Sequence, residues 1–388
     1  MNDPILERSK ELESYIIEKR RDFHKNPEVR FEEERTSKVV KEELQRYGYS
    51  IKETAGTGVI ATLKGGKEGK TVALRADMDA LPLQEENDVP YKSQIDGKMH
   101  ACGHDAHTAM LLGAAKILSD MKDELEGTIK LVFQPGEEGG AGAKKILDEG
   151  NLKDIDAIFG LHVWAHLPSG TIATSPGPVM ASSDSFLITI KGDGGHAASP
   201  HRTHDPTIPS NAIYDALQKI VTSNIDPLQP AVIKTPNVKT SDAYNVIPDK
   251  VTMNGTIRTF DLEVRETIVN RIKQISEHYA KAWNCEAKFE LERNYYPPTV
   301  NEKKMSEFAK EIAEDYFKPE ELEKQMGAED FAFYLQQKPG CFLFMGTGNE
   351  DKGTDHPHHH PKFDLDEDEL YKGTALYTKL AVEYLKRY

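Results

Sequence analysis

The chain has 388 residues, of which 38% are hydrophobic, and its 64 acidic and 49 basic residues give a formal net charge of −15. This length predicts two or three domains of roughly 100–200 residues each. The acidic balance without a basic patch argues against a nucleic-acid-binding protein, and no segment approaches the roughly 20 apolar residues that span a bilayer. The first residues are charged and have no apolar leader, so we expect a cytoplasmic protein. The three cysteines are far apart, which argues against a disulfide framework.

Short apolar runs alternate with amphipathic stretches in the first half of the chain. We predict strands at residues 71–78, 128–134 and 156–163, with a helix at residues 106–120 after the first of them. Another strand is predicted at residues 341–346. The alternation predicts an α/β fold, with a largely parallel twisted sheet flanked by helices.

The sequence pattern changes in the middle of the chain. Strand-like runs such as SFLITIKGDGG and CEAKFELER are separated there by helical segments, which is typical of a small α+β domain. We therefore predict a domain at residues 182–292 inserted into a larger one, whose two parts are residues 1–181 and 293–388.

Side chains that bind metals or transfer protons follow the ends of four predicted strands. They are Asp77 and Asp79, Glu137 and Glu138, His162, and the histidines of HPHHHPKFD after residue 346. Ligands of open parallel sheets bind outside the carboxyl ends of the strands. The pattern therefore indicates a polar site at this edge of the sheet.

The segment HACGHDAHTAM (100–110) contains a cysteine and three histidines. Cys102 and His104 are two residues apart, so in an extended segment both point to the same side and can reach one metal ion. Asp105 is expected to cap the following helix. A polar helix start is the alternative for this segment alone, whereas a zinc finger lacks its second Cys/His pair.

Two adjacent acids, Glu137 and Glu138, lie in the glycine-flanked turn QPGEEGG. One carboxylate can bind a metal while its neighbour takes a proton from a water molecule, although a solvated acidic turn would look the same. A phosphate loop is excluded for this turn because no GKS or GKT follows its glycines and because two acids would repel a phosphate. With Cys102, His104, Glu138, His162 and one late histidine, five ligands are available, enough for two metal ions.

The motifs RADMDALP (75–82), MHACGHDAHTAMLLGAA (99–115), FQPGEEGG (133–140), GLHV (160–163), GGHAASP (194–200), NVIP (245–248), GTIR (255–258), GAEDFAFY (327–334) and HHHPKFD (358–364) together resemble those of the M20 metallopeptidases. The match is to the aminoacylase, amidohydrolase and carboxypeptidase branch. It keeps the order of the motifs over nearly the whole chain. One departure is Asp77, which stands where many relatives outside this branch have a histidine.

The resemblance implies a role for each matching residue. The metal ligands would be Cys102, His104, Glu138, His162 and His359, with His360 the second choice for the last position. Glu137 would be the general acid and base, and Asp79 an orienting acid. The inserted domain would serve as a lid and dimerisation domain, with His196 stabilising the oxyanion and Asn245 and Arg258 holding a substrate carboxylate.

The implied activity is metal-dependent hydrolysis of the amide bond next to a free carboxylate, in an N-acyl amino acid or a short peptide. Two divalent ions per subunit (Zn, Co, Mn or Ni) and a homo-oligomer, a dimer or a dimer of dimers, are implied with it. The abundance of Glu and Lys is compatible with a thermostable protein. A catalytically silent relative that binds metal or an amino-acid derivative is the alternative. A serine hydrolase is disfavoured because G-x-S-x-G is absent.

Overall fold

The computed structural model describes residues 3–292 and 295–388, which form two compact units. Unit 1 consists of Met1–Val179, Val300–Glu323 and Asp330–Tyr388. Unit 2 consists of Met180–Thr299 and Lys324–Glu329, and the predicted inserted domain, residues 182–292, falls within it. The predicted domain limits themselves stay a prediction.

The helices of the described residues are α1 (Pro4–Glu11), α2 (Glu13–Lys25), α3 (Glu34–Arg46), α4 (His104–Asp120), α5 (Glu137–Gly140), α6 (Gly142–Asp148), α7 (Thr207–Asn224), α8 (Leu262–Ala282), α9 (Lys303–Ala313), α10 (Ala332–Leu335) and α11 (Leu370–Arg387). The strands are β1 (Ser50–Thr54), β2 (Gly58–Lys64), β3 (Lys67–Asp77), β4 (Glu126–Gln134), β5 (Ala157–Pro168), β6 (Thr171–Ala173), β7 (Gly177–Met180), β8 (Asp184–Lys191), β9 (Gly195–His196), β10 (Ala231–Lys239), β11 (Val246–Ile247), β12 (Lys250–Thr259), β13 (Glu286–Leu291), β14 (Thr299–Asn301), β15 (Lys318–Glu320) and β16 (Gly340–Gly348).

Unit 1 is built on a sheet with the strand order β1-β2-β4-β3-β5-β16-β6-β15. Its central strands β4, β3, β5 and β16 run parallel to one another. At one edge β2 pairs antiparallel with β4, and β1 pairs antiparallel with β2. Helices α4 and α11 pack against β3, and α9 packs against β16. The predicted α/β fold with a largely parallel sheet is confirmed.

The core of unit 1 follows from the apolar central strands and from α4. Phe159 of β5 and Leu343 of β16 are completely buried, and most residues of α4 are buried as well. A helix that is apolar around most of its circumference belongs inside a protein. Gly113 of α4 permits close packing, since a Cβ there would lie 2.9 Å from the Thr374 side chain of α11. Among the described residues, no helix combines the length and apolar character needed to cross a membrane.

Unit 2 contains an antiparallel sheet with the order β10-β12-β8-β13, and helices α7 and α8 pack against its strands. Alternate residues of β8, namely Phe186, Ile188 and Ile190, are buried, as expected for a strand with one face on the core. A short pair, β9 with β11, places His196 opposite Val246. A separate small α+β unit is therefore present, as predicted.

Candidate metal centre

Five side chains with metal-binding atoms meet in unit 1 beyond the carboxyl ends of β3, β4 and β16 and within β5. The ligand atoms of Cys102, His104 and His162 lie within 4.8 Å of one another, and so do those of Cys102, Glu138 and His359. Cys102 belongs to both groups. The structure thus brings together the five residues that the motifs single out, in two groups of three that share one sulfur.

The two groups are compact. Cys102 Sγ lies 3.6 Å from His162 Nε2, and His359 Nε2 lies 3.1 Å from Glu138 Oε1. Burial and the Glu138 carboxylate raise the pKa of the Cys102 thiol, whereas hydrogen bonds with Cys102 and Glu138 raise the pKa of His359 to about 10. A bound cation acts in the opposite direction, since it favours the thiolate and the unprotonated imidazole.

The hydrogen bonds of two histidines indicate whether their rings are oriented to bind a metal ion. His104 Nδ1 donates to the carbonyl oxygen of Asp79 at 2.8 Å, and His162 Nδ1 donates to the carbonyl oxygen of Val163 at 2.6 Å. These bonds place the proton on Nδ1 and leave the lone pair of Nε2 in each ring. His104 Nε2 is buried, lies 3.5 Å from Asp77 Oδ2 and makes no hydrogen bond with a described residue, so its lone pair is available to a metal ion. The donor set therefore fits a metal centre.

His107, for which the sequence predicted no role, lies beside this centre, but both of its ring nitrogens are hydrogen-bonded within the protein. Its Nδ1 donates to Asp77 Oδ1 at 2.6 Å, and its Nε2 accepts from the Val163 amide at 2.9 Å. Asp77 also accepts from Arg75 Nη1 at 2.6 Å. Asp77 thus links Arg75 to the helix that carries His104. The spacing of His107, three residues after His104 on one helix, was the available signal.

Asp79 holds the turn that carries the two acids. Its Oδ1 accepts from the amide of Glu137 at 3.0 Å, and its Oδ2 accepts from the amide of Glu138 at 2.9 Å. Through its backbone carbonyl the same residue also orients His104. Asp79 is 1% exposed, so these charge-assisted bonds are shielded from water.

Glu137 is buried, and its Oε1 accepts from the amide of Asp330 at 3.3 Å. The glycines of this turn have a conformational purpose. Gly136 and Gly139 adopt φ values of 64° and 73°, in the left-handed region that favours glycine. The glycine-rich turn therefore shapes the backbone around the buried Glu137 and the half-buried Glu138.

The run of three late histidines separates into three environments. His359 lies in the group with Cys102 and Glu138, and its amide donates to the carbonyl oxygen of Ala101 at 2.8 Å. His358 Nε2 accepts from the Ala165 amide at 3.2 Å, and burial lowers its pKa to about 3. His360 stacks on the ring of His356, with their centroids 4.8 Å apart. His359 is thus the late histidine that lies beside Cys102 and Glu138, and it is the first choice implied by the family resemblance.

Asp105 does not cap α4, contrary to the sequence-based expectation. The N-cap position is Gly103, in the left-handed region, and makes no side-chain capping bond. Asp105 lies one residue inside the helix, completely buried, and its Oδ2 is 2.9 Å from Arg20 Nε and 2.8 Å from His24 Nδ1. The aspartate is therefore used for a tertiary ion pair, which outweighs its preference for a helix end.

His196, Asn245 and Arg258 belong to unit 2. The amide of Ala197 donates to the carbonyl oxygen of Asn245 at 3.1 Å, so His196 and Asn245 are neighbours across the β9–β11 pair, and both are exposed. Arg258 is half-buried in β12, and burial lowers the pKa of its guanidinium. The roles of these three residues stay predictions.

Comparison with known proteins places this arrangement in a family. The model of the peptidase family M20/M25/M40 matches residues 73–383. A thermostable carboxypeptidase of Saccharolobus solfataricus is 42% identical over 97% of this chain and 96% of its own length. An N-acetylcysteine deacetylase of Bacillus subtilis is 40% identical over 97% of this chain and 98% of its own length.

A solved structure agrees with these relatives. A dinuclear metal-binding peptidase of the M20 family from Bacillus subtilis superimposes with a TM-score of 0.85 and 37% identity, over 98% of this chain and 100% of that one. Its description as dinuclear accords with the two groups of ligand atoms that share Cys102. The resemblance carried by the motifs is confirmed, and the chain belongs to the peptidase family M20/M25/M40.

Proposed function

We propose that the protein is a hydrolase that cleaves the amide bond next to a free carboxylate, as a carboxypeptidase, an N-acyl-amino-acid amidohydrolase or both. The observation that carries the proposal is the buried carboxylate of Glu137 beside two groups of ligand atoms that share Cys102. Relatives of about this similarity include a carboxypeptidase and a deacetylase, which supports hydrolysis of an amide in a small substrate.

The metal ligands in this proposal are Cys102, His104, Glu138, His162 and His359. Sulfur, nitrogen and oxygen donors together admit Zn, Co, Mn or Ni. Metal ions bound there would lower the pKa of a bound water molecule and polarise the substrate carbonyl. Every other contribution comes from side chains of the chain itself.

Glu137 is the proposed general base. Its carboxylate is buried, lies next to the proposed ligand Glu138, and is held by a turn whose amides are bonded to Asp79. In this role it takes a proton from the attacking water and passes it to the leaving amine, so one residue serves in both steps. Asp330 contributes a backbone amide to Glu137 Oε1 and thereby restrains the side chain.

Residues of unit 2 are proposed to bind the substrate. His196 donates a hydrogen bond to the oxygen that becomes negative as the amide is attacked. Arg258 and Asn245 hold the free carboxylate, for which the planar guanidinium offers two parallel hydrogen bonds. In a homodimer, His196 would serve the active site of the partner subunit.

The test uses purified protein, stripped of metal and reloaded with Zn, Co or Mn. We would offer an N-acyl amino acid and a blocked dipeptide, each as the free acid and as its C-terminal amide, to the wild-type protein and to E137Q. We expect metal-dependent cleavage of the free acids only, lost in E137Q while the metal content stays unchanged. Glutamine keeps the size of the side chain but cannot accept the proton.

Two outcomes would contradict the proposal. Metal binding without turnover of either free acid would favour the catalytically silent relative. Equal cleavage of acids and amides would remove the assigned role of Arg258 and Asn245 while leaving hydrolysis in place.

A further inference from the structure

A segment near the N-terminus holds the turn that carries Glu137. Glu33 is completely buried immediately before α3, and its Oε1 accepts from the amide of Gly136 at 3.0 Å. The same oxygen accepts from the amide of Phe31 at 2.9 Å, and Oε2 accepts from Thr57 Oγ1 at 2.5 Å. A single carboxylate thus joins the N-terminal segment, the turn before β2 and the residue that precedes Glu137.

Three consecutive amides of the turn are bonded to two buried carboxylates. Glu33 accepts from Gly136, while Asp79 accepts from Glu137 and Glu138. The two acceptors come from segments far apart in the chain, so the turn is held from two directions. Hydrogen bonds to a buried carboxylate are strong when it is charged. Burial raises the pKa of Glu33 to about 7, and its Oε1 can accept from the Gly136 amide in either protonation state.

Two neighbours of Glu33 contact the same turn. The ring of Phe31 lies so close to Gly136 and Gly140 that a Cβ added at either glycine would come within 2.6 Å of a ring atom. Arg30 Nη1 donates to the carbonyl oxygen of Glu138 at 2.7 Å. Phe31 itself has φ 61°, an unfavourable value for an aromatic residue that persists only where the surroundings impose it. The segment is therefore shaped to fit the turn.

We propose that Glu33 is a positioning residue for Glu137, acting through the amide of Gly136, and this inference rests on the proposed function. Residues 30–33 lie before the stretch 73–383 that the family model matches. Glu33 has no role in substrate binding or metal ligation here. Its effect is on where the carboxylate of Glu137 stands, and a displacement of about 1 Å at a reacting group can reduce the rate about 100-fold.

The test compares E33A, E33D and E33Q in the metal-loaded full-length protein. E33A removes both acceptor oxygens, E33D keeps the charge but shortens the reach, and E33Q keeps an oxygen that can accept from Gly136. We expect E33A and E33D to lower kcat about 10- to 100-fold with KM changed less than about twofold, and E33Q to stay within about threefold of the wild-type kcat. The metal content of each variant should stay that of the wild type.

Glu149 provides a control for the loss of a similar set of hydrogen bonds, at an exposed position instead of a buried one. Its carboxylate likewise accepts from a threonine hydroxyl, that of Thr54, and from a backbone amide, that of Ala55 at 2.9 Å. E149A removes a similar set of bonds away from the Glu137 turn, so we expect its kcat to equal that of the wild type. Thermal unfolding of both alanine variants shows how much of any change is a loss of folded protein.

Combination with E137Q separates a positioning role from a general structural one. If Glu33 acts through Glu137, the double variant E33A/E137Q should be no slower than E137Q alone. A further loss in the double variant, or an E33A enzyme as active as E149A, overturns the inference. An E137Q enzyme with the wild-type rate instead overturns the role of Glu137 as general base, and the positioning role of Glu33 with it.

Discussion

Replacing Arg20 with alanine should strongly destabilise unit 1, because this guanidinium is completely buried among carboxylates. Its Nε lies 2.9 Å from Asp105, its Nη2 2.8 Å from Asp364, and its Nη1 3.1 Å from Glu367. The three acids come from α4 and from the segment that follows the late histidines. Arg20 therefore joins the two segments that carry His104 and His359.

The loss of stability in R20A depends on which of the three carboxylates keep another hydrogen-bond or ion-pair partner. Glu367 retains Arg21 at 2.5 Å, Asp105 retains His24 at 2.8 Å, and Asp364 retains the hydroxyl of Tyr91 at 2.7 Å. Burial by itself would raise the pKa of Asp105, and the charges of Arg20 and His24 reverse that shift. Removing one member of a buried ion pair costs about 3–5 kcal/mol. Arg20 pairs with three acids, but each of them keeps another partner in R20A, so we expect the free energy of unfolding to fall by about 3–5 kcal/mol in all and not by that amount for each acid.

Fluorescence can follow unit 1 alone, because one of the two tryptophans, Trp164, lies in unit 1 and the other, Trp283, lies in unit 2. We would measure urea unfolding of R20A in a W283F background. The control is R8A, which breaks the exposed pair of Arg8 with Asp120 and should cost less than about 1 kcal/mol. If R20A costs no more than R8A, the reasoning about the buried ion pair is wrong.

Three further predictions concern the turn, the core and the metal. D79N leaves one acceptor for the amides of Glu137 and Glu138, so we expect kcat to fall about 10- to 100-fold, and a wild-type rate would refute the role of Asp79. F159A empties a fully buried site in β5 and should lower the free energy of unfolding by about 3–5 kcal/mol in urea titrations; a cost under about 1 kcal/mol would show that the core refills the space. Removing metal with a chelator should lower the midpoint of thermal unfolding, because free metal at about 100 times its Kd stabilises by about 2.7 kcal/mol, and an unchanged midpoint would show that the five side chains hold no metal.

Much of unit 1 could be predicted from local patterns. The strand predicted at residues 128–134 is observed as Glu126–Gln134, and the one predicted at residues 341–346 as Gly340–Gly348. Strands in the middle of a parallel sheet are covered on both faces, so their sequences are almost continuously apolar and easy to recognise. The strand predicted at residues 156–163 extends further, to Pro168. The prediction stopped early because the second half, WAHLP, is interrupted by His166 and ends in a proline, so it lacks a continuous apolar run.

The ligand types could also be predicted, since thiol, imidazole and carboxylate groups after successive strands must meet at one edge of the sheet. The role of each individual side chain could not be predicted in this way. His107 has the same chemistry as His104, yet both of its ring nitrogens are bonded within the protein. Asp105 is of a residue type that is favoured at helix N-caps, yet it forms an ion pair with Arg20 instead.

The sequence by itself determined the family, the α/β architecture and the set of residues from which a metal centre could be built, because each of these follows from periodicity or from motifs of a few residues. Only the tertiary structure decided which late histidine joins Cys102 and Glu138, and that Glu33 holds the amide of Gly136. Those contacts connect residues about a hundred or more positions apart in the chain. No local spacing encodes such a contact, since it depends on how strands and helices pack once each has formed.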